Sequence, residues 1–199
     1  MDNFCISLYT KSCLRKCNIY FSSSKDRQKM EIQYQSIQVK DQDLLQEMLY
    51  TALYVPLGQE PFPKSIIATP ELRKYVENWG ESIGDVGFLA IVGGKRVAAI
   101  WGHIFPSSNP GYGYVGEYTP EITLAVQAEY RNRGIGSELL KRLCSEYKRL
   151  GYRQVSLSVA KQNPAKSLYI RFGFELLREE GESLVMYKSL SKNKITDFM

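Results

Sequence analysis

The sequence has one histidine, His103, and four cysteines, three of which (Cys5, Cys13 and Cys17) lie within residues 1–29. Cys13 and Cys17 could start a zinc site, but tetrahedral zinc takes a second pair of ligands that the sequence does not offer. No metal is expected, and the sparse cysteines fit a reducing cytoplasm. No apolar run approaches the roughly 18 residues that span a bilayer, so no membrane partner is expected. Residues 1–29 also lack the continuous apolar stretch of a signal peptide and carry acid too early for a transit peptide. No Gly-x4-Gly-Lys-Ser/Thr occurs, which excludes a Walker A loop, and there are no internal repeats or low-complexity tracts. Single-signed charge is scarce in most of the chain: of the net +5, residues 1–29 hold +4 and the other 170 residues only +1. A body so near neutrality gives no support for a nucleic-acid surface. Association with nucleic acid through the basic first segment is a separate reading that rests on that segment alone.

What is present is enough apolar residue, 44% with 12% aromatic, to fill one globular core. Residues 1–29 read as a basic tail outside the fold, with Met30 an alternative start of translation. Regular patterning begins at Met30 and runs to 190; residues 191–199 read as a polar C-terminal tail. Glu31 to Val39 alternates as a strand. Asp41 or Asp43 caps a helix with a stripe of Leu45, Leu49 and Leu53. Thr69-Pro70 starts a second helix whose face is Leu72, Tyr75, Val76 and Trp79, ended by Gly80. Val86 to Val92 and Arg96 to Phe105 form a hairpin about Gly93-Gly94. The loop 106–120 carries Tyr112, Tyr114 and Tyr118 either as a rim over a site or as packing on the domain edge.

Glu121 to Gln127 alternates again as a strand, and from Ile135 to Leu150 the apolar period becomes helical, with Gly151 as the stop. Cys144 lies on that helix as a small buried thiol. Between strand and helix stands Arg131-Asn132-Arg133-Gly134-Ile135-Gly136-Ser137. Its two glycines let backbone approach a ligand, the first helical turn leaves N–H groups unpaired, and two arginines add charge: a site for a phosphorylated ligand. A dinucleotide fingerprint would need glycine or alanine where Leu139 stands, and would open an early βαβ unit. Val155 to Ala160 is a further strand. Asn163-Pro164 opens a helix with Ala165, Leu168, Tyr169 and Phe172 on one face, and Phe174 to Arg178 and Ser183 to Lys188 are closing strands.

Arg131-x-x-Gly134-x-Gly136 followed by Ser137-Glu138-Leu139-Leu140 resembles the acyl-CoA-binding motif of the GNAT superfamily of N-acetyltransferases. The block Asn163 to Phe174 is similar to that family's late helix and strand. The two blocks stand in the family's order and spacing. The resemblance implies an α/β fold built on a mixed sheet of about seven mostly antiparallel strands with helices on both faces. It also implies that acetyl-CoA is the co-substrate, attacked directly by an amine, and it leaves a homodimer open. The amides of Arg131, Asn132, Arg133, Gly134, Ile135, Gly136 and Ser137 would hold the pyrophosphate. A backbone N–H among Leu124, Ala125 and Val126 would polarise the thioester carbonyl.

Tyr169 matches the family's tyrosine that protonates the departing thiolate, against a plain packing role beside Leu168. Glu121 stands where several members carry a carboxylate base, against a strand-end glutamate in solvent; Glu117 and His103 are reserves. Many members place asparagine where this chain has Gln162, so Asn163 is a cap first and a cofactor contact second. The alternative to an enzyme is a CoA- or nucleotide-sensing module of the same fold. The acceptor amine, small molecule or protein, is not legible.

Overall fold

The computed structural model describes residues 31–191, so the expected tail 1–29 and all of the expected tail 191–199 but Ser191 lie outside the described residues. Seven strands form one sheet: β1 (Ile32–Ser36), β2 (Val86–Val92), β3 (Lys95–His103), β4 (Glu121–Val126), β5 (Gln154–Ala160), β6 (Glu175–Glu180) and β7 (Ser183–Ser189). Their spatial order is β1-β2-β3-β4-β5-β7-β6, antiparallel throughout except for β4 beside β5. Four helices accompany it: α1 (Gln42–Ala52), α2 (Pro70–Arg73), α3 (Ile135–Arg149) and α4 (Lys166–Arg171). This is the mixed, mostly antiparallel sheet with helices on both faces that the resemblance implies. Among the described residues no helix is long and apolar enough to cross a membrane.

Alternation along the strands divides the core. On one face Leu89, Ala99, Trp101 and Ala125 pack against Leu45, Met48 and Leu49 of α1 and against Tyr75, Val76 and Trp79 beyond α2. On the other, α3 buries Ile135, Leu139, Leu140, Leu143 and Tyr147. Each fully buried leucine there contributes about 1.5–3 kcal/mol. The Tyr147 hydroxyl donates to the Gly84 carbonyl at 2.8 Å, closing the far end of that layer. Cys144 is buried in the same layer, and desolvation pushes its thiol up to about 11, so it stays a protonated, inert packing group.

Three elements are shorter than the patterning suggests. The strand expected to Val39 ends at Ser36, although Ile37 N–H still donates to Gly87 O at 2.9 Å. The chain then turns, and Asp41 accepts from the Gln38 amide at 3.0 Å and from Arg96 at 3.0 Å. The helix expected over 70–79 keeps α geometry only to Arg73. Past it the bonds shift to three-residue spacing, Tyr75 N–H on Leu72 O and Val76 N–H on Arg73 O, and further on the Tyr75 carbonyl accepts the Trp101 indole at 3.0 Å while Trp79 N–H turns to Val76 O. Leu53 lies past the end of α1 in extended conformation, which frees its segment to wall a cleft.

Candidate active site

The site begins where the sheet comes apart. β4 and β5 are paired only at Glu121 and Ser156, with Ser156 N–H on Pro120 O at 3.0 Å; beyond that point they diverge. Backbone directions alternate along a strand. Gln127 N–H donates to Val97 O on the β3 side and Pro120 O accepts from the β5 side. The even-numbered residues between them therefore aim at β5. The amides of Leu124 and Val126 point into the gap, whereas that of Ala125 points to β3 and its side chain is in the core. Val126 O is taken by Arg131 Nε at 3.0 Å, which ties the following loop to the strand.

That loop passes through Asn132 (φ 59°) and Gly134 (φ 80°) and enters α3 at Ile135. The left-handed conformation at Gly134 is where glycine is needed, and Glu138 N–H is the first amide of the helix to find a carbonyl behind it, Gly134 O at 3.1 Å. The amides of Ile135, Gly136 and Ser137 are left for a ligand. A Cβ on Gly136 would reach Leu124 and Leu168 at 3.5 Å and Val126 at 3.6 Å, ordinary contact that fills the floor of the cleft. The cleft encloses about 700 Å³ between this loop, the end of α1 at Leu53 and Tyr54, and the start of α4. Arg131, Asn132, Gly134, Ile135, Gly136, Ser137 and Asn163 all line it, as does Arg171. Arg133 does not; its guanidinium lies over the Tyr130 ring, 5.7 Å from the centroid.

Asn163 Oδ1 accepts the Ala165 amide at 2.9 Å, so its side chain folds the turn that leads into α4. Tyr169 follows on α4, buried, its ring edge-on to Phe174 at 5.7 Å. Its hydroxyl makes no hydrogen bond to the described residues, and desolvation pushes its pKa up to about 12. It keeps its proton at neutral pH and has it free to give.

A second arm, of about 350 Å³, joins the first at Leu124 and Tyr169 and runs to Glu121. Glu121 is 4% exposed, which overturns the alternative of a glutamate in solvent. Its Oε1 accepts the Tyr75 hydroxyl at 2.7 Å, while Oε2 is buried without a hydrogen bond. Desolvation raises its pKa to about 7, against smaller lowering influences from Tyr75, the Gly113 amide, Lys74 and His103. Such a carboxylate is poised to exchange protons at neutral pH. Tyr75 is itself held by the Tyr112 amide, which donates to its hydroxyl at 2.7 Å. The loop 106–120 gets this close because Gly111 carries no side chain: a Cβ there would overlap Glu121 Oε2 and the Phe105 ring.

The reserves for the base lie elsewhere. His103 Nδ1 meets Asp85 Oδ1 at 2.5 Å, and Glu117 accepts the Ser107 hydroxyl at 2.7 Å in solvent. Neither lines either arm. Of the loop tyrosines, Tyr112 lines the second arm, Tyr114 packs on the core and Tyr118 is exposed, so the loop is rim and packing at once. The sequence reading missed Tyr75, which patterned as core, the Leu53–Tyr54 wall, and Arg171. Only Arg171 carried a signal, two residues beyond Tyr169 within the second motif block.

Comparison with known proteins agrees with this fold. No curated protein matches the chain. Many solved structures share its fold, and three illustrate the likeness. The PaiA N-acetyltransferase of Thermoplasma acidophilum, in complex with coenzyme A, is 19% identical, with a TM-score of 0.60, covering 80% of this chain and 99% of that one. The ribosomal-protein-S18-alanine N-acetyltransferase of Escherichia coli is 18% identical, with a TM-score of 0.57, covering 85% and 100%. A Salmonella typhimurium protein solved with its cofactor acetyl-CoA is 17% identical, with a TM-score of 0.58, covering 84% and 98%. At these identities the likeness is one of fold. The model of the acetyltransferase (GNAT) family matches residues 49–174, more than half of the sequence and both motif blocks almost entire, and the chain belongs to that family.

Proposed function

We propose that this chain transfers the acetyl group of acetyl-CoA to an amine by direct attack on the thioester. The observation that carries the reading is the junction of the two arms. A protonated tyrosine, strand amides without partners and a carboxylate poised near neutrality line one continuous cleft. The start of α3 suits the co-substrate: three free amides, the positive end of a 15-residue helix and a glycine floor accept a diphosphate. When bound there, acetyl-CoA supplies an activated acetyl thioester.

The residues of the chain do the rest. Gly134 to Ser137 hold the pyrophosphate, with Arg131 and Arg171 at the cleft wall. The Leu124 and Val126 amides donate to a carbonyl oxygen as it gains negative charge. Glu121 takes the proton that the amine gives up, directly or through one water. Tyr169 gives its hydroxyl proton to the sulfur as the carbon–sulfur bond breaks. The products are an N-acetyl amine and free CoA thiol, and the two residues are reset by exchange with solvent.

The test is Tyr169→Phe, which keeps the ring packed on Phe174 and removes only the oxygen. The turnover number is expected to fall by roughly 10²–10⁴-fold with acetyl-CoA affinity unchanged, as for a positioned general acid. Wild-type turnover in this variant would leave Tyr169 as a packing residue.

A further inference from the structure

We infer that the acceptor is a small primary amine carrying a single charge on an apolar, preferably aromatic, body. This rests on the transferase reading above and adds the acceptor class to it. The second arm is walled on one side by Leu49, Phe62, Leu72 and Tyr112, with Tyr75 and Glu121 at its end, and the neutral polar side chains of Thr123, Ser158 and Ser183 line the strand side. Among the described residues Glu121 is its only charged lining residue; no lysine, arginine, aspartate or second glutamate of residues 31–191 lines it.

Each common acceptor class can be set against that wall. A polyamine brings further ammonium groups, and each would be desolvated without a counter-charge. A free amino acid brings a carboxylate that needs a cation. Lys74 is the nearest, since its charge bears on Glu121, but its Nζ is engaged by Pro110 O at 2.5 Å and Asn109 Oδ1 at 3.2 Å. That lysine also disfavours any second positive charge. A single amine on an apolar body brings one polar group, which Glu121 meets, and hydrophobic surface for the rest. At about 350 Å³ the arm lies at the lower end of small-molecule sites.

The near-parallel rings of Tyr75 and Tyr112, 13° apart in plane with centroids at 6.2 Å, give the arm a flat aromatic side. A flat acceptor fits it better than a branched one.

The experiment uses the purified full chain with saturating acetyl-CoA and follows thiol release. The acceptors are the n-alkylamines from propyl to hexyl, 2-phenylethylamine, spermidine, phenylalanine and a short peptide with a free N-terminus. Specificity is expected to rise about fourfold per added methylene until the arm is filled. 2-Phenylethylamine should exceed spermidine and phenylalanine by at least about tenfold. Phe62→Asp places a carboxylate on the half-exposed wall away from the reacting groups, and should lower the 2-phenylethylamine rate and raise that of spermidine.

Calorimetry of 2-phenylethylamine against the CoA-loaded chain separates the two claims. Saturable binding without turnover upholds the acceptor class and overturns the transferase reading. Turnover of spermidine, phenylalanine or the peptide in preference to the apolar amines overturns the acceptor class and upholds transfer. Absence of 2-phenylethylamine binding together with absence of its turnover overturns the acceptor class outright.

Discussion

Glu121→Gln tests the buried carboxylate by two independent readouts. In the folded chain the carboxyl is pushed from 4.5 to about 7 by desolvation, so between those values the native state holds a proton that the unfolded chain has released. Stability therefore falls as pH rises from 4.5 through 7 and is level above it. From pH 5 to pH 8 the loss is on the order of 2–3 kcal/mol, at roughly 1.4 kcal/mol for each tenfold change in proton affinity. Glutamine keeps the shape and can still accept the Tyr75 hydroxyl, but it does not titrate. Whatever fixed cost its amide brings at the unpartnered Oε2 position is the same at every pH.

The assay is urea unfolding of both proteins at pH 5 and pH 8. The wild-type-minus-variant difference should move by roughly 2–3 kcal/mol against the wild type, on the order of 1 M in midpoint. In turnover, the wild type should show an ascending limb near pH 7 in kcat/KM. The variant should be slower by roughly 10²–10⁴-fold near neutrality and recover as pH rises and free amine forms unaided. A stability difference constant between pH 5 and 8 would refute the buried, displaced carboxylate. An activity loss equal at every pH would leave Glu121 as a positioning group.

Three further outcomes follow from the same geometry. Tyr75→Phe removes the hydrogen bond that lowers the Glu121 pKa, so the ascending limb should shift to higher pH while the variant loses about 1–3 kcal/mol in denaturant unfolding. Gly136→Asp puts a side chain and a negative charge where three amides face the cleft, so acetyl-CoA binding should vanish in calorimetry; Gly136→Ala should fold normally, since its methyl group makes only ordinary contacts. Arg131→Ala frees the Val126 carbonyl and loosens the loop, which should raise the acetyl-CoA dissociation constant and leave thermal stability within about 0.5 kcal/mol, as for exposed sites.

Much of this was legible in the residues because the elements around the cleft are locally determined. The change of period between Val126 and Ile135 marks β4, the loop and α3, and Gly134 stands at the N-cap of α3, where the backbone is left-handed. The end of α2 was not legible: local spacing favours a helix to Trp79, but the backbone bonds shift to three-residue spacing from Tyr75, and an indole from Trp101, arriving from another strand, takes the Tyr75 carbonyl. The environment of Glu121 was hidden for the same reason. Its partner Tyr75 is 46 residues away in sequence, and its burial depends on a loop that closes over it through Gly111. Arg131 and Arg133 look equivalent in the motif, yet one ties the loop to β4 and the other lies on Tyr130. Alternation and capping report neighbours along the chain, while side-chain pairing across it is set by tertiary packing.

The central claim, acetyl transfer to an amine in this cleft, is tested most directly by incubating the purified chain with acetyl-CoA and 2-phenylethylamine and analysing the products by mass spectrometry. The account predicts N-acetylated amine and free CoA thiol in equal amounts, formed by the wild type and reduced at least about 100-fold in Tyr169→Phe. Bound acetyl-CoA recovered intact, with no acetylated amine from this or any other acceptor offered, would contradict it.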